Sequence, residues 1–373
     1  MSEDKDVLLA SLRNAAELSP QQWASEYPNR KPIAVFCSYV PEELIHAAGF
    51  TPVRGRKRPS RSGAWSEHLQ SYACPLARSL LEQAADGELR AFAGAVFAHS
   101  CDTMQALADI WRMRFPSVFA WVVNVPTRLD SPHTADYLRQ ELAAFHTALE
   151  RLAGNPISDA DLRTSVGLYN RLRTLLARLD TLRDHLSNAQ FYSAMLAAQT
   201  MPKEDFIPLA EALIPRVEAP PPQDGRARVI IVGAVLDDLT LPALADNLGL
   251  RIVGDDLCTS ARYAEGIVQT DAPPLAALAA RLLERAPCPA KHREDWRRGP
   301  ALVSLARERQ AQGVVFYLQK FCDPHAFDYA DMRRDLAQAG IPHIVLEDDA
   351  GPATAQWRTR LQAFAEMLGG TAP

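Results

Sequence analysis

Short apolar runs bounded by turn residues occur at 33–36, 51–53, 94–98 and 118–123. Between them, at about 41–48, 75–85 and 103–112, apolar residues recur at a 3.6-residue period. That alternation predicts a parallel sheet covered by helices. Residues 4–27 read as an amphipathic helical lead-in. From His133 to Val217 no strand-like run occurs, and DYLRQELAAFHTALERLAG and DLRTSVGLYNRLRTLLARLDTLRDHL space Leu, Ala and Tyr helically. EAPPPQDG then reads as a linker, because three prolines favour an extended spacer. ARVIIVGAV opens a second α/β segment. The expected organisation is a helical lead-in (1–30), an α/β domain (31–132), a helical segment (133–217), a linker (218–225) and a second α/β domain (226–373).

The two α/β parts look duplicated. GAVFAHSCDTMQALADIW and GVVFYLQKFCDPHAFDYADM both read as a strand, Cys-Asp and a helix. IAVFCSYVPEELIHAAGFTPV and VIIVGAVLDDLTLPALADNLGLRIV both read as strand, acidic pair, helix, Gly and strand. The fold class expected is therefore α/β, with two flavodoxin- or Rossmann-like parallel-sheet domains joined by a helical segment.

Composition narrows the function classes. The chain has 373 residues, long enough to bury a core without staples. Its net charge of −5 is too acidic for a general nucleic-acid binder. No apolar run approaches the roughly 18–20 residues that span a bilayer. The start, MSEDKDVLLASLRN, lacks a signal-peptide pattern. A cytoplasmic protein is expected. No GxGxxG follows a strand and no GxxxxGK[ST] is present, so neither Rossmann-type nucleotide binding nor ATP hydrolysis by this chain is expected.

Chemistry points to the cysteines. All six (Cys37, Cys74, Cys101, Cys258, Cys288 and Cys322) stand alone, without a CxxC pair, which argues against a zinc finger or a thioredoxin motif. Cys101 and Cys322 fall just past a strand's C-terminal end and at a helix start, where open α/β sheets bind ligands. Cys74 precedes Pro75, which suits the first helical position. Helix N-termini favour thiolate and anionic groups, so three converging thiolates suit an iron–sulfur cluster with one open iron. The plainer alternative is that these are small buried core residues.

CSYVPEELIHAAGFTPV, YACPLARS, SCDTMQALADIW and KFCDPHAFDYADMRRDLAQAGIPHIVLEDD resemble segments of the 2-hydroxyacyl-CoA dehydratase and benzoyl-CoA reductase family, as do GDDLCTSARY and APCPAKH. The resemblance covers about residues 30–368 and is weakest in the helical middle. It implies that Cys74, Cys101 and Cys322 hold a [4Fe–4S] cluster whose open iron meets an acyl-CoA thioester. It also implies ketyl-radical chemistry, as a dehydratase (lyase) or a reductase. An ATP-hydrolysing iron–sulfur activator and a homologous second subunit are the implied partners. Cys37, Cys258 and Cys288 either line the pocket or complete a double-cubane [8Fe-9S] cluster, as in a homodimeric branch of the superfamily that reduces small molecules. A non-catalytic scaffold partner is the remaining alternative.

Other features carry less. Ser38 is a candidate hydrogen-bond donor to substrate, and Glu43, with Glu42, a candidate proton shuttle, against the plainer reading of Pro41-Glu42-Glu43 as a first helical turn. Arg54, Arg56, Lys57, Arg58 and Arg61 read as a solvated loop, or as a contact for coenzyme A phosphates or the activator. His99, His133, His325 and His343 lack metal-ligand spacing, and His325 reads as a structural histidine.

Overall fold

The computed structural model describes residues 2–217, 225–349 and 354–369; the expected linker, save Gly225, lies outside the described residues. Two four-stranded, all-parallel sheets form the frame. The first contains β1 (Pro32–Val35), β2 (Thr51–Arg54), β3 (Gly94–Ala98) and β4 (Phe119–Val123), in the order β2-β1-β3-β4. The second contains β5 (Ala227–Gly233), β6 (Leu250–Asp256), β7 (Gly313–Gln319) and β8 (His343–Asp348), in the order β6-β5-β7-β8. Both repeat the flavodoxin-type order, whose switch point lies beside the first strand.

Each sheet is buried on both faces, which is why its strands read as continuous apolar runs rather than alternating ones. In β3, Ala95 and Phe97 join one core while Val96 and Ala98 join another. In β5, Val229 and Ile231 face one core and Ile230 and Val232 the other.

Between β4 and β5 lie the helices Thr134–Ala153, Asp159–Thr181, Asn188–Thr200 and Lys203–Val217. Ser158 and Ser187 open the second and third with capping boxes. The lead-in is two helices, Ser2–Glu17 and Pro20–Glu26, because Ser19 caps a new helix on Gln22 and Pro20 suits its first turn. Among the described residues no helix is long and apolar enough to cross a membrane.

The basic loop is not the solvated loop its sequence suggests. Arg54 and Arg56 are buried, the Lys57 side chain is only 8% exposed, and Arg61 projects into solvent. Arg56 donates to the carbonyls of Ala16 and Leu18, and Arg58 to that of Leu18. Lys57 pairs with Asp348 at the end of β8. The cations thus join the first sheet to the lead-in helices and to the second sheet, using backbone acceptors that the primary sequence does not reveal.

Candidate functional site

Three cysteines open three helices. Cys74 is the N-cap of Pro75–Ala85, Cys101 of Asp102–Arg114 and Cys322 of Asp323–Gln338, and none makes a side-chain capping hydrogen bond. Ser, Thr, Asp or Asn normally fill that position, so a thiol there leaves helix N–H groups facing sulfur. All three cysteines line one cavity of about 530 Å³ at the C-terminal ends of the strands.

The surroundings favour the neutral form of these thiols. Burial pushes Cys101 and Cys322 each up to about 12 and raises Cys74 as well. Neighbouring sulfurs add to the shift. Cys101 feels Cys74, Cys37 and Cys288, while Cys322 feels Cys74, Cys101 and Cys258. Burial likewise raises Cys288 to about 11, with Cys258 and Cys37 contributing. Six cysteines therefore form one electrostatically connected group.

Buried cations surround that group. Burial works to raise the Cys258 thiol, but Arg262 and Arg54 outweigh it and leave its pKa below the ordinary value. Arg262 Nη2 donates to Cys258 Sγ at 3.4 Å and to the Gly233 carbonyl at 2.6 Å, while Nη1 pairs with Asp256. Lys291 Nζ lies beside the cavity wall and donates to the carbonyls of His99 (2.9 Å) and Val125 (2.6 Å). Arg54 Nη1 is buried with no hydrogen-bond partner.

Ser38 and Glu43 are placed differently. Arg285 donates to the Ser38 carbonyl and Oγ (2.8 and 2.9 Å) and stacks 3.9 Å above the Tyr39 ring. Glu43 forms a buried ion pair with Arg173. Burial pushes its pKa up, yet Arg173 and Arg281 more than offset this and hold it below the usual range. Glu42 accepts from the Tyr263 hydroxyl at 2.9 Å and lies 3.6 Å from Lys203 Nζ. Neither Ser38 nor Glu43 is brought into the wall of the cysteine-lined cavity. His325 Nδ1 lies 3.4 Å from Cys322 Sγ. Burial, with Arg262 and Arg298, takes the imidazole down to about 3, so it is neutral near pH 7.

Sequence reading does not single out Arg262, Arg285 or Lys291. The signal is spacing: Arg262 follows Cys258 by four residues and Lys291 follows Cys288 by three, within reach of the sulfur in a short helix or turn.

The residues present suit a sulfur-ligated cluster. Among the described residues, no three His, Cys, Asp or Glu side chains converge on a single metal-ion position. A lone ion needs its ligands at about 2.0–2.6 Å from one point, whereas an iron–sulfur cluster is held by thiolates at separate irons. Three thiols at helix N-termini, beside the carboxylates and histidines that also line the cavity, favour a soft-ligand, anionic group.

Fold and site together define a class: duplicated, doubly wound α/β proteins with a cysteine-lined cleft at the strand ends. Residues 37–368 match the family described as 2-hydroxyglutaryl-CoA dehydratase, D-component, and the chain belongs to that family. It is 27% identical to the (R)-phenyllactyl-CoA dehydratase beta subunit of Clostridium sporogenes, over 92% of this chain and 93% of that one. It is 28% identical to one of the subunits of the benzoyl-CoA reductase of Thauera aromatica, over 87% of each. It is 26% identical to the lactoyl-CoA dehydratase beta subunit of Anaerotignum propionicum, over 97% of this chain and 99% of that one.

Proposed function

We propose that this chain is the iron–sulfur subunit of a 2-hydroxyacyl-CoA dehydratase or a benzoyl-CoA-type reductase. The observation that carries the proposal is the convergence of Cys74, Cys101 and Cys322, each at a helix N-terminus, on one cavity. In this reading those three thiolates hold a [4Fe–4S] cluster, which when bound supplies low-potential single electrons for thioester reduction. The helix N-termini favour the anionic cluster. Lys291, fixed by two backbone carbonyls, sets its amine beside the sulfurs; burial lowers its pKa, and Cys288, Cys37 and Cys101 work against that lowering. Ser38 serves as a hydrogen-bonding group held by Arg285, while Glu43, tied to Arg173, orders the helix behind the cleft.

A homologous second subunit and an ATP-hydrolysing iron–sulfur activator complete the system, since the chain lacks a phosphate-binding loop of its own. Its place is the cytoplasm. Relatives named as subunits support the partner, and the acyl-CoA substrate follows the relatives' names.

A second reading is favoured by the electrostatic coupling of Cys37, Cys258 and Cys288 to the first three. Six thiolates in one group suit a double-cubane [8Fe-9S] cluster in a homodimeric reductase of small molecules. Iron and acid-labile sulfide per chain, measured on anaerobically purified protein, separate the readings. About four irons, lost in Cys322→Ala and kept in Cys258→Ala, support the thioester enzyme. About eight, needing Cys37 and Cys258 as well, support the double cubane. No iron in a folded sample overturns both and leaves a scaffold protein.

A further inference from the structure

Two of the three proposed ligands come from different halves of the chain, and one carboxylate bridges the elements that carry them. Cys74 opens the helix whose next turn holds Arg78. Cys322 follows the end of β7, and its N–H donates to the Gln319 carbonyl at 3.1 Å. Between them stands Asp349, just past β8. Its Oδ1 accepts from Arg78 Nη2 at 2.7 Å and its Oδ2 from Lys320 Nζ at 2.9 Å. Asp348, one residue earlier, accepts from Tyr317 (2.7 Å) and Gln319 (2.8 Å) and pairs with Lys57. The Lys320 N–H donates to the Asp348 carbonyl at 2.9 Å.

The loop that delivers Cys322 needs such a restraint. Phe321 lies in the left-handed region at φ +61°, a costly conformation for a bulky residue that persists only where its surroundings enforce it. Lys320 and Cys322 flank it, and Lys320 is the residue that Asp349 holds.

We propose that Asp349 is a positioning residue that sets the spacing of Cys74 and Cys322 by gripping Arg78 and Lys320 at once. The inference rests on the reading that these cysteines are cluster ligands, but thiol spacing can be measured without iron. Apoprotein is treated with a short bis-maleimide, and the Cys74–Cys322 cross-linked peptide is quantified against the Cys74–Cys101 peptide. The latter lies within one half and serves as the reference.

In Asp349→Asn and Lys320→Met the ratio is expected to fall about threefold, on the scale of a half-exposed ion pair. The melting temperature should stay within about 2 °C of wild type, as for a surface substitution, and Asp349→Glu should recover part of the ratio. Anaerobically reconstituted Asp349→Asn should also lose iron faster than wild type. An unchanged ratio in both variants overturns the proposal. A wild type that binds no iron while the ratio still falls would sink the cluster reading and leave the spacing role standing.

Discussion

Aligned on sheet register, Gly94 of β3 corresponds to Gly313 of β7, since each pairs with the equivalent residue of the neighbouring strand, Ile33 and Val229. The same register matches Phe97 with Phe316 and Cys37 with Gly233. It also sets Arg54, opposite Val35, against Asp255, opposite Ile231. The scaffold is thus repeated while the strand ends differ. The first half places a buried cation at that position, the end of β2; the second places there a carboxylate tied to Arg183, one residue before the end of β6. A Cβ at Gly233 would collide with the Tyr317 carbonyl oxygen, so the second half has no room for a counterpart of Cys37. β7 also runs two residues longer than β3, which places Cys322 five residues beyond Tyr317 where Cys101 lies three beyond Ala98. The repeated scaffold carries paired Cys-Asp helix starts, with unequal charges around them.

The largest test of the equivalence lies in the two cores. Phe97 packs edge-on against Phe36 and Trp111, and Phe316 against Tyr329 and His343. Both are fully buried. Phe97→Ala and Phe316→Ala should each cost about 3–5 kcal/mol in guanidinium denaturation. A loss in one less than half that in the other would break the correspondence.

Next in size is an opposed pH dependence of two buried carboxylates. Glu43, in the first half, is held ionised by Arg173 and Arg281. Asp237, beyond β5, accepts the Lys57 N–H through Oδ2, but its buried Oδ1 has no hydrogen-bond partner. Burial, opposed by Lys57 and reinforced by Asp238 and Asp348, raises it from 3.8 to about 6. The fold therefore favours protonated Asp237. That contribution is complete below about pH 4 and is lost as pH rises through 6, amounting to about 3 kcal/mol. Glu43 has the opposite sign: its contribution is present at neutral pH and is lost in acid. Asp237→Asn should flatten the decline in stability between pH 4 and 7, while Glu43→Gln should lower stability at pH 7. Denaturation midpoints across pH 4–8 check both, and an unchanged slope in Asp237→Asn would contradict the assignment.

Much of this frame was legible because it is local. Strand runs, Pro75 beside Cys74 and the repeated Cys-Asp all depend on neighbours in sequence. The charged interior was not legible in the same way. Arg173 meets Glu43 across 130 residues and Lys57 meets Asp348 across 291, so neither pairing leaves a local pattern. A run such as RGRKRPSR looks solvated until tertiary structure supplies its carbonyl and carboxylate acceptors. The cysteines fall between these cases: their helix starts were readable and Arg262 lies only four residues from Cys258, whereas Arg54, which also acts on Cys258, comes from a distant segment.

The smallest effect sharpens the comparison most, because it separates the two cysteines that look alike. Cys101 has φ −149° and ψ 163°, the extended geometry from which an N-cap oxygen reaches the N–H three residues on, here that of Met104. Cys322 has φ −91° and ψ 84°, away from that geometry. Cys101→Ser should therefore stabilise the apoprotein by up to about 1 kcal/mol. Cys322→Ser should leave it within about 0.5 kcal/mol of wild type. Both should lose iron if both thiols are ligands. Equal stability gains would show that the two helix starts are conformationally equivalent after all. A gain confined to position 101, with iron lost from both variants, would mean that the helix start at Cys101 keeps a weak cap for the sake of its thiolate.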